Sequence, residues 1–125
     1  MAEDPKRYFT EEQANGALPE LRRSLERIRQ ARAVVLRSAV RIREHAPADG
    51  GGLDGSAHWE ALRVLREEIA GLGERGIVLR DADTGLVDFP ARREGRLVYL
   101  CWRADEDRVG HWHEAGAGFG GRKPL

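Results

Sequence analysis

Gly76-Ile77-Val78-Leu79-Arg80-Asp81-Ala82-Asp83-Thr84-Gly85-Leu86-Val87-Asp88-Phe89-Pro90 marks a change of period in the chain. Upstream, apolar residues recur every three or four positions. From Gly76 onward they come in short runs bounded by turn residues, which is the pattern of strands. Ile77 to Arg80 reads as one strand. Asp81 to Gly85 supplies the turn, because short acidic side chains bond nearby backbone N–H groups. Leu86 to Phe89 reads as a second strand, stopped by Pro90, which has no N–H to give to a ladder. Glu94-Gly95 turns the chain again. Leu97-Val98-Tyr99-Leu100-Cys101-Trp102 is the third and strongest strand. Asp105-Glu106-Asp107 makes another turn, and Val109 to Glu114 is a fourth strand. The expectation is an antiparallel meander of about four strands over 76–114, with a glycine-rich, irregular tail over 115–125.

Working back from Gly76, two helices are expected. Thr10-Glu11-Glu12-Gln13 matches a capping box, in which hydroxyl and amide side chains satisfy orphan backbone donors. Pro19 predicts a break, with a short helix over 11–17 and a restart at the proline. From there to about His45, Leu18, Leu21, Leu25, Ile28, Arg32, Val35, Ala39 and Ile42 follow a 3-4 spacing, a heptad seam holding one arginine. Ala46-Pro47-Ala48-Asp49-Gly50-Gly51-Gly52 reads as the loop that ends it. A second helix, about Ser56 to Leu72, carries His58, Leu62, Leu65, Ile69 and Leu72 on a matching seam. Asp54 or Ser56 would be its N-cap, and Gly71 and Gly73 fit its C-terminal end. Two seamed helices joined by a glycine-rich loop predict an antiparallel helical hairpin over about 10–75. The fold class is therefore α+β, a single domain of a helical hairpin packed with a small meander.

The composition narrows the classes of function. The 125 residues carry 21 basic and 21 acidic side chains and one cysteine, Cys101. One cysteine makes no internal disulfide, so this is not a disulfide-stapled secreted module. No apolar run approaches the roughly 20 residues of a membrane span, and Met1 to Arg7 lacks the apolar centre of a signal peptide. The expected location is the cytoplasm. The neutral total hides a segregation: residues 19–45 sum to +5 and residues 46–75 to −3. Oppositely charged neighbours suit two helices that neutralise each other. The arginines of the long helix are diluted by Glu20, Glu26 and Glu44 and lack aromatic interleaving, so no nucleic-acid partner is expected; no membrane partner is expected either.

Several strings together resemble a known family. Tyr8-Phe9-Thr10, Ala14-Asn15 and Leu18-Pro19-Glu20-Leu21 resemble the start of a bacterial family called domain of unknown function 2203. Gly76-Ile77, Arg80-Asp81 and Gly85-Leu86-Val87-Asp88-Phe89-Pro90 also match it. So do Leu100-Cys101-Trp102-Arg103, Glu106, Trp112-His113-Glu114, Gly118-Phe119 and Gly121-Arg122. Ala104-Asp105 departs from the family pattern, in which an apolar residue and a glycine are expected. The resemblance implies a small bacterial cytoplasmic protein and carries no mechanism.

His111-Trp112-His113-Glu114 is the strongest chemical feature. Residues two apart on a strand share a face, so both imidazoles project one way, and two same-face histidines are a usable pair for zinc, nickel or iron. In the register that segregates apolar from polar side chains, Cys101 and Tyr99 face the histidines, and Val98, Leu100, Trp102 and Trp112 form the apolar face. The candidate ligands are His111, His113, Cys101, Glu106 and Glu114, with Asp88 and Asp81 as further carboxylates. The structural alternative is half-exposed histidines bonded to carboxylates, with Cys101 a small buried hydrophobe. Asp81 and Asp83 read as ordinary turn formers, and Asp88 as the partner of an arginine such as Arg80 or Arg103.

Three partial motifs fail on context. Asp83-Thr84-Gly85 has no second such loop. Gly116-x-Gly118-x-x-Gly121 has no helix after it to receive a phosphate. His113-Glu114 lacks the second histidine of a zinc-protease helix. The leading expectation is a metal-binding protein whose cofactor is a transition metal. The second is an interaction module whose helical hairpin forms a homodimer or docks a protein partner. An enzyme is the third, without a recognisable nucleophile–base constellation.

Overall fold

The computed structural model describes residues 4–49 and 55–125. Helix α1 covers Glu11–Asp49 and helix α2 covers Gly55–Glu74. Strands β1 (Val78–Asp81), β2 (Leu86–Arg93), β3 (Arg96–Trp102), β4 (His111–Glu114) and β5 (Lys123–Pro124) form one antiparallel sheet in the order β1-β2-β3-β4-β5. The α+β class and the meander are as expected, with a fifth strand. The tail is not irregular throughout: a 3-10 turn at Phe119–Gly121 leads into β5, which pairs with β4 through His111↔Pro124 and Trp112↔Lys123.

The capping box forms. The Gln13 N–H donates to Thr10 Oγ1 and the Thr10 N–H to Gln13 Oε1, each at 3.0 Å. No break follows at Pro19, however, and α1 is one helix. Pro19 is exposed, while Leu18 and Leu21 beside it are buried in the core. Their burial keeps the helix intact through a residue that cannot donate to the carbonyl four residues back. The expected loop from Ala46 is also helical as far as Asp49; Gly50 to Gly52 and the Asp54 cap lie outside the described residues.

The first half of the expected seam, Leu18 to Ile28, is buried, and α1 buries a second stripe that the seam did not include. Ala14, Leu18, Leu21 and Leu25 face the sheet and join its core. Ser24, Ala31 and Ser38, seven residues apart and all buried, run along the side where α2 packs. Ala39 lies five turns beyond Leu21 in the same direction, but no sheet reaches that far and Ala39 is exposed. On α2, Ala61 and Leu72 are buried, whereas Ile69, expected on the seam, is 46% exposed. The charge segregation takes the form of contacts between the helices: Arg27 Nε donates to Glu68 Oε2 at 2.8 Å, and Arg75 lies 3.7 Å from Glu20.

The end of α2 is set by Gly76 and not by Gly71 or Gly73. Gly76 takes φ 79°, its N–H bonds the Gly73 carbonyl, and the Ile77 N–H reaches back to the Leu72 carbonyl. That is a Schellman cap, with Ile77 and Leu72 closing its apolar contact inside the core. The β2–β3 hairpin turns on Glu94 and Gly95, both at positive φ, as a two-residue turn of type I′ requires.

Strand β2 does not stop at Pro90 but continues to Arg93. A residue's N–H and C=O point to the same side of a strand, and the Pro90 carbonyl accepts from the Phe9 N–H at 2.7 Å. The missing N–H therefore falls on the side that β1 has already left, not on the ladder to β3. Alternation along β2 and β3 then separates two faces. Val87, Phe89, Ala91, Val98, Leu100 and Trp102, with Trp112 of β4, form the core beneath the helices. Asp88, Cys101, Tyr99, His111 and His113 lie on the other face, by the pairings Asp88↔Cys101, Cys101↔His111 and Tyr99↔His113.

Candidate metal centre

The register that segregates apolar from polar residues is the one observed, and it places Cys101 and both histidines on one face. It does not bring both histidines to one point. Among the described residues, the ligand atoms that converge belong to Asp88, Cys101 and His113, which are all buried and lie within 4.8 Å of one another. Cys101 meets His111 directly across the ladder, but His113, its diagonal neighbour, completes the cluster. Diagonal neighbours are within reach for long and ring side chains.

Asp88 and His113 are each held by specific hydrogen bonds, and Cys101 is placed by its strand. The His113 side chain is 2% exposed. Its Nδ1 lies 2.7 Å from the Glu114 carbonyl, an acceptor only, so Nδ1 carries a proton and donates it. Nε2 lies 3.0 Å from Asp88 Oδ2 and needs a proton or a cation between the two. Asp88 Oδ2 also accepts from Arg80 Nε at 2.8 Å, which settles the expected arginine partner as Arg80. Asp88 Oδ1 is buried and has no hydrogen-bond partner. Burial, and then the Asp88 carboxylate, push the Cys101 thiol up to about 12. It is therefore no nucleophile at neutral pH, since only the thiolate attacks.

The remaining sequence candidates are placed elsewhere. His111 sits in a second cluster: its Nδ1 accepts from Arg122 Nη2 at 2.5 Å and lies 3.9 Å from Glu106 Oε2. Glu106 accepts from the Arg103 N–H at 2.8 Å and from Arg122 Nη2 at 2.6 Å. Burial works to raise the Glu106 carboxyl, but Arg122 and the Arg103 N–H together hold it below its ordinary value. Glu114 pairs in register with Val98, so it belongs to the opposite face, where Arg96 Nη2 bonds it at 2.5 Å. Asp81 is a turn former, accepting from the Asp83 N–H and the Thr84 hydroxyl. Arg32, on the helical seam, reaches Asp83 of the same turn.

Sequence reasoning missed two residues. Arg122, in a tail expected to be irregular, is nine-tenths buried and ties His111 to Glu106. Asn15 donates to the Val109 carbonyl at 3.3 Å and accepts the Val109 N–H at 2.7 Å, clamping α1 to the irregular segment that leads into β4. Neither spacing nor periodicity signals a contact made 94 residues along the chain.

Beside the cluster lies a cavity of about 310 Å³, walled by Arg80, Leu86, Asp88, Cys101, His113 and the turn carrying Gly116, Gly118 and Phe119. Chemically, a buried set of one oxygen, one sulfur and one nitrogen donor could hold a borderline divalent ion. The whole-chain comparison names only a family: the model of DUF2203, an uncharacterized conserved protein, matches residues 7–125, and the chain belongs to that family. No curated protein and no solved structure matches it. Among the described residues no helix is long and apolar enough to cross a membrane.

Proposed function

We propose that the protein binds a divalent transition metal, zinc, nickel or iron, through Asp88, Cys101 and His113. The observation that carries the reading is Asp88 Oδ1, a buried carboxylate oxygen without a partner beside a thiol and an imidazole. An unsatisfied buried polar atom calls for an explanation such as an ion. His113 is prepared as metal-binding histidines commonly are, with one ring nitrogen fixed on a backbone carbonyl and the other aimed at the cluster. Arg80 holds Oδ2 and so orients Asp88 while leaving Oδ1 available. An ion would take Cys101 as the thiolate and would displace the proton between His113 Nε2 and Asp88, so uptake would release protons and weaken as the pH falls. A reducing cytoplasm would keep that thiol available.

The test is elemental analysis of untagged protein together with calorimetric titration of zinc, nickel and iron(II). Uptake of one equivalent in wild type, abolished in Asp88→Asn and Cys101→Ser, is the expected result. Stoichiometric uptake of no metal overturns the reading.

A second reading concerns the end of the hairpin beyond the sheet, where Leu36 is 60%, Val40 41% and Trp59 67% exposed. We infer that this part pairs with a second copy, which would cover these apolar side chains. Sedimentation equilibrium showing a dimer that Trp59→Glu dissociates is expected; a strict monomer overturns it.

A further inference from the structure

The three donors leave the site incomplete. His111 and Glu106 are tied to Arg122, and Glu114 lies on the opposite face. A four-coordinate ion with three protein ligands keeps one open position, the arrangement of catalytic and exchange sites rather than structural ones. Asp88, Cys101 and His113 all line the 310 Å³ cavity, so a further ligand to an ion held by them would enter from it. Arg80 lines the same cavity, partly exposed, and uses Nε for Asp88. Leu86 and Phe119 give the cavity apolar walls, and Gly116 and Gly118 place no side chain in it. A divalent ion with Asp88 and a Cys101 thiolate is neutral, so Arg80 leaves one net positive charge facing the cavity. A guanidinium fork matches a carboxylate in shape as well as in charge.

We propose that the open position takes a small monocarboxylate with a short apolar body, bound to the ion and to Arg80. The inference rests on the metal reading above, and the experiment separates the two. Full-length protein is titrated with cobalt(II), whose thiolate charge-transfer band reports loading and whose visible bands report the open position. Sodium acetate, sodium propionate and inorganic phosphate are then added in separate arms.

The expected result is a saturable change in the visible bands with acetate and a tighter one with propionate. Binding should weaken at least tenfold in Arg80→Gln, with Arg80→Lys intermediate as the second variant if the first does not load. Phosphate should bind more weakly than either. A loaded site whose bands ignore both carboxylates overturns the inference and leaves the metal reading standing. So does equal binding in the Arg80 variants, or tighter binding of phosphate. Absence of the charge-transfer band overturns both.

Discussion

The two faces of the sheet are made by the same strands and come out opposite in character. Beneath the helices, Val87, Phe89, Leu100 and Trp102 close a core in which the Trp102 indole N–H is satisfied by the Glu106 carbonyl at 3.0 Å. One residue along each strand, Asp88 and Cys101 face the other way, where a glycine-rich turn is the cover and one carboxylate oxygen stays unpartnered. Asp88, Cys101 and His113 are as buried as the core residues, yet one Asp88 oxygen among them has no hydrogen-bond partner. A face covered by two helices is fixed by packing. A face covered by a thin turn can hold groups whose hydrogen-bonding capacity is kept for something else. On the metal reading proposed above, the first face carries the stability and the second the chemistry, and each half can be tested separately.

The largest expected effect is on the packed face. Phe89 is fully buried and sits edge-on to Phe9, with ring centroids 5.0 Å apart. Phe89→Ala removes that contact and leaves a cavity, at a cost of about 3–5 kcal/mol, read as a shift of the urea midpoint. A loss below 1 kcal/mol would mean that the core is not where the stability resides.

On the chemical face the next effect is conditional on the ion. Zinc at 100 times its dissociation constant should raise wild-type stability by about 2.7 kcal/mol by mass action. The increment should vanish in Cys101→Ser and persist in His111→Ala, whose side chain belongs to the Arg122 cluster. Measuring the increment, not the baseline, separates loss of a ligand from damage to the fold. Loss of the increment in His111→Ala would move the centre to the second cluster.

The clamp between the layers comes third. Asn15→Ala leaves the Val109 N–H and carbonyl without their partner at a buried position. Such a loss costs about 1–3 kcal/mol, again by denaturant midpoint. Metal uptake should be unchanged, because Asn15 touches the helix-side layer alone. A variant that also lost the ion would show the two faces to be coupled.

How much of this was legible depends on whether the deciding contacts are local. The change of period at Gly76 is local, and so are the Thr10–Gln13 box and the turn at Glu94-Gly95; all of them read correctly. Binary alternation was enough to choose the register that puts Cys101 beside the histidines, since the other register would expose the apolar side chains. Errors came where tertiary packing overrode a local rule. Leu18 and Leu21 carry the helix past Pro19, and Phe9 occupies the side of β2 on which Pro90 lacks its donor. Within the site, sequence pairs His111 with His113 because they are two apart. Which of them meets Asp88 depends on β2 lying two strands away, and on Arg122 engaging His111. Neither fact leaves a mark on spacing.

The smallest expected effect tests the helical layer that closes the packed face. Arg27 bonds Glu68 through Nε at 2.8 Å, and that hydrogen bond, reinforced by the guanidinium charge, holds the Glu68 carboxyl below its ordinary 4.5. A carboxyl depressed in the folded state stabilises the fold above the unfolded value and loses that stabilisation as the pH falls through the folded one. The contribution should therefore be complete at neutral pH and be lost as the pH falls below the ordinary carboxylate range, in the direction of acid unfolding. Glu68→Gln should flatten this part of the stability–pH curve and leave the neutral-pH fold intact. Because Arg27 is half exposed, salt should screen the pair, so the difference between wild type and variant should shrink at high ionic strength. A difference that instead survives high salt would show the pair to be held by packing between α1 and α2, and the helical layer would then be as rigid as the core it covers.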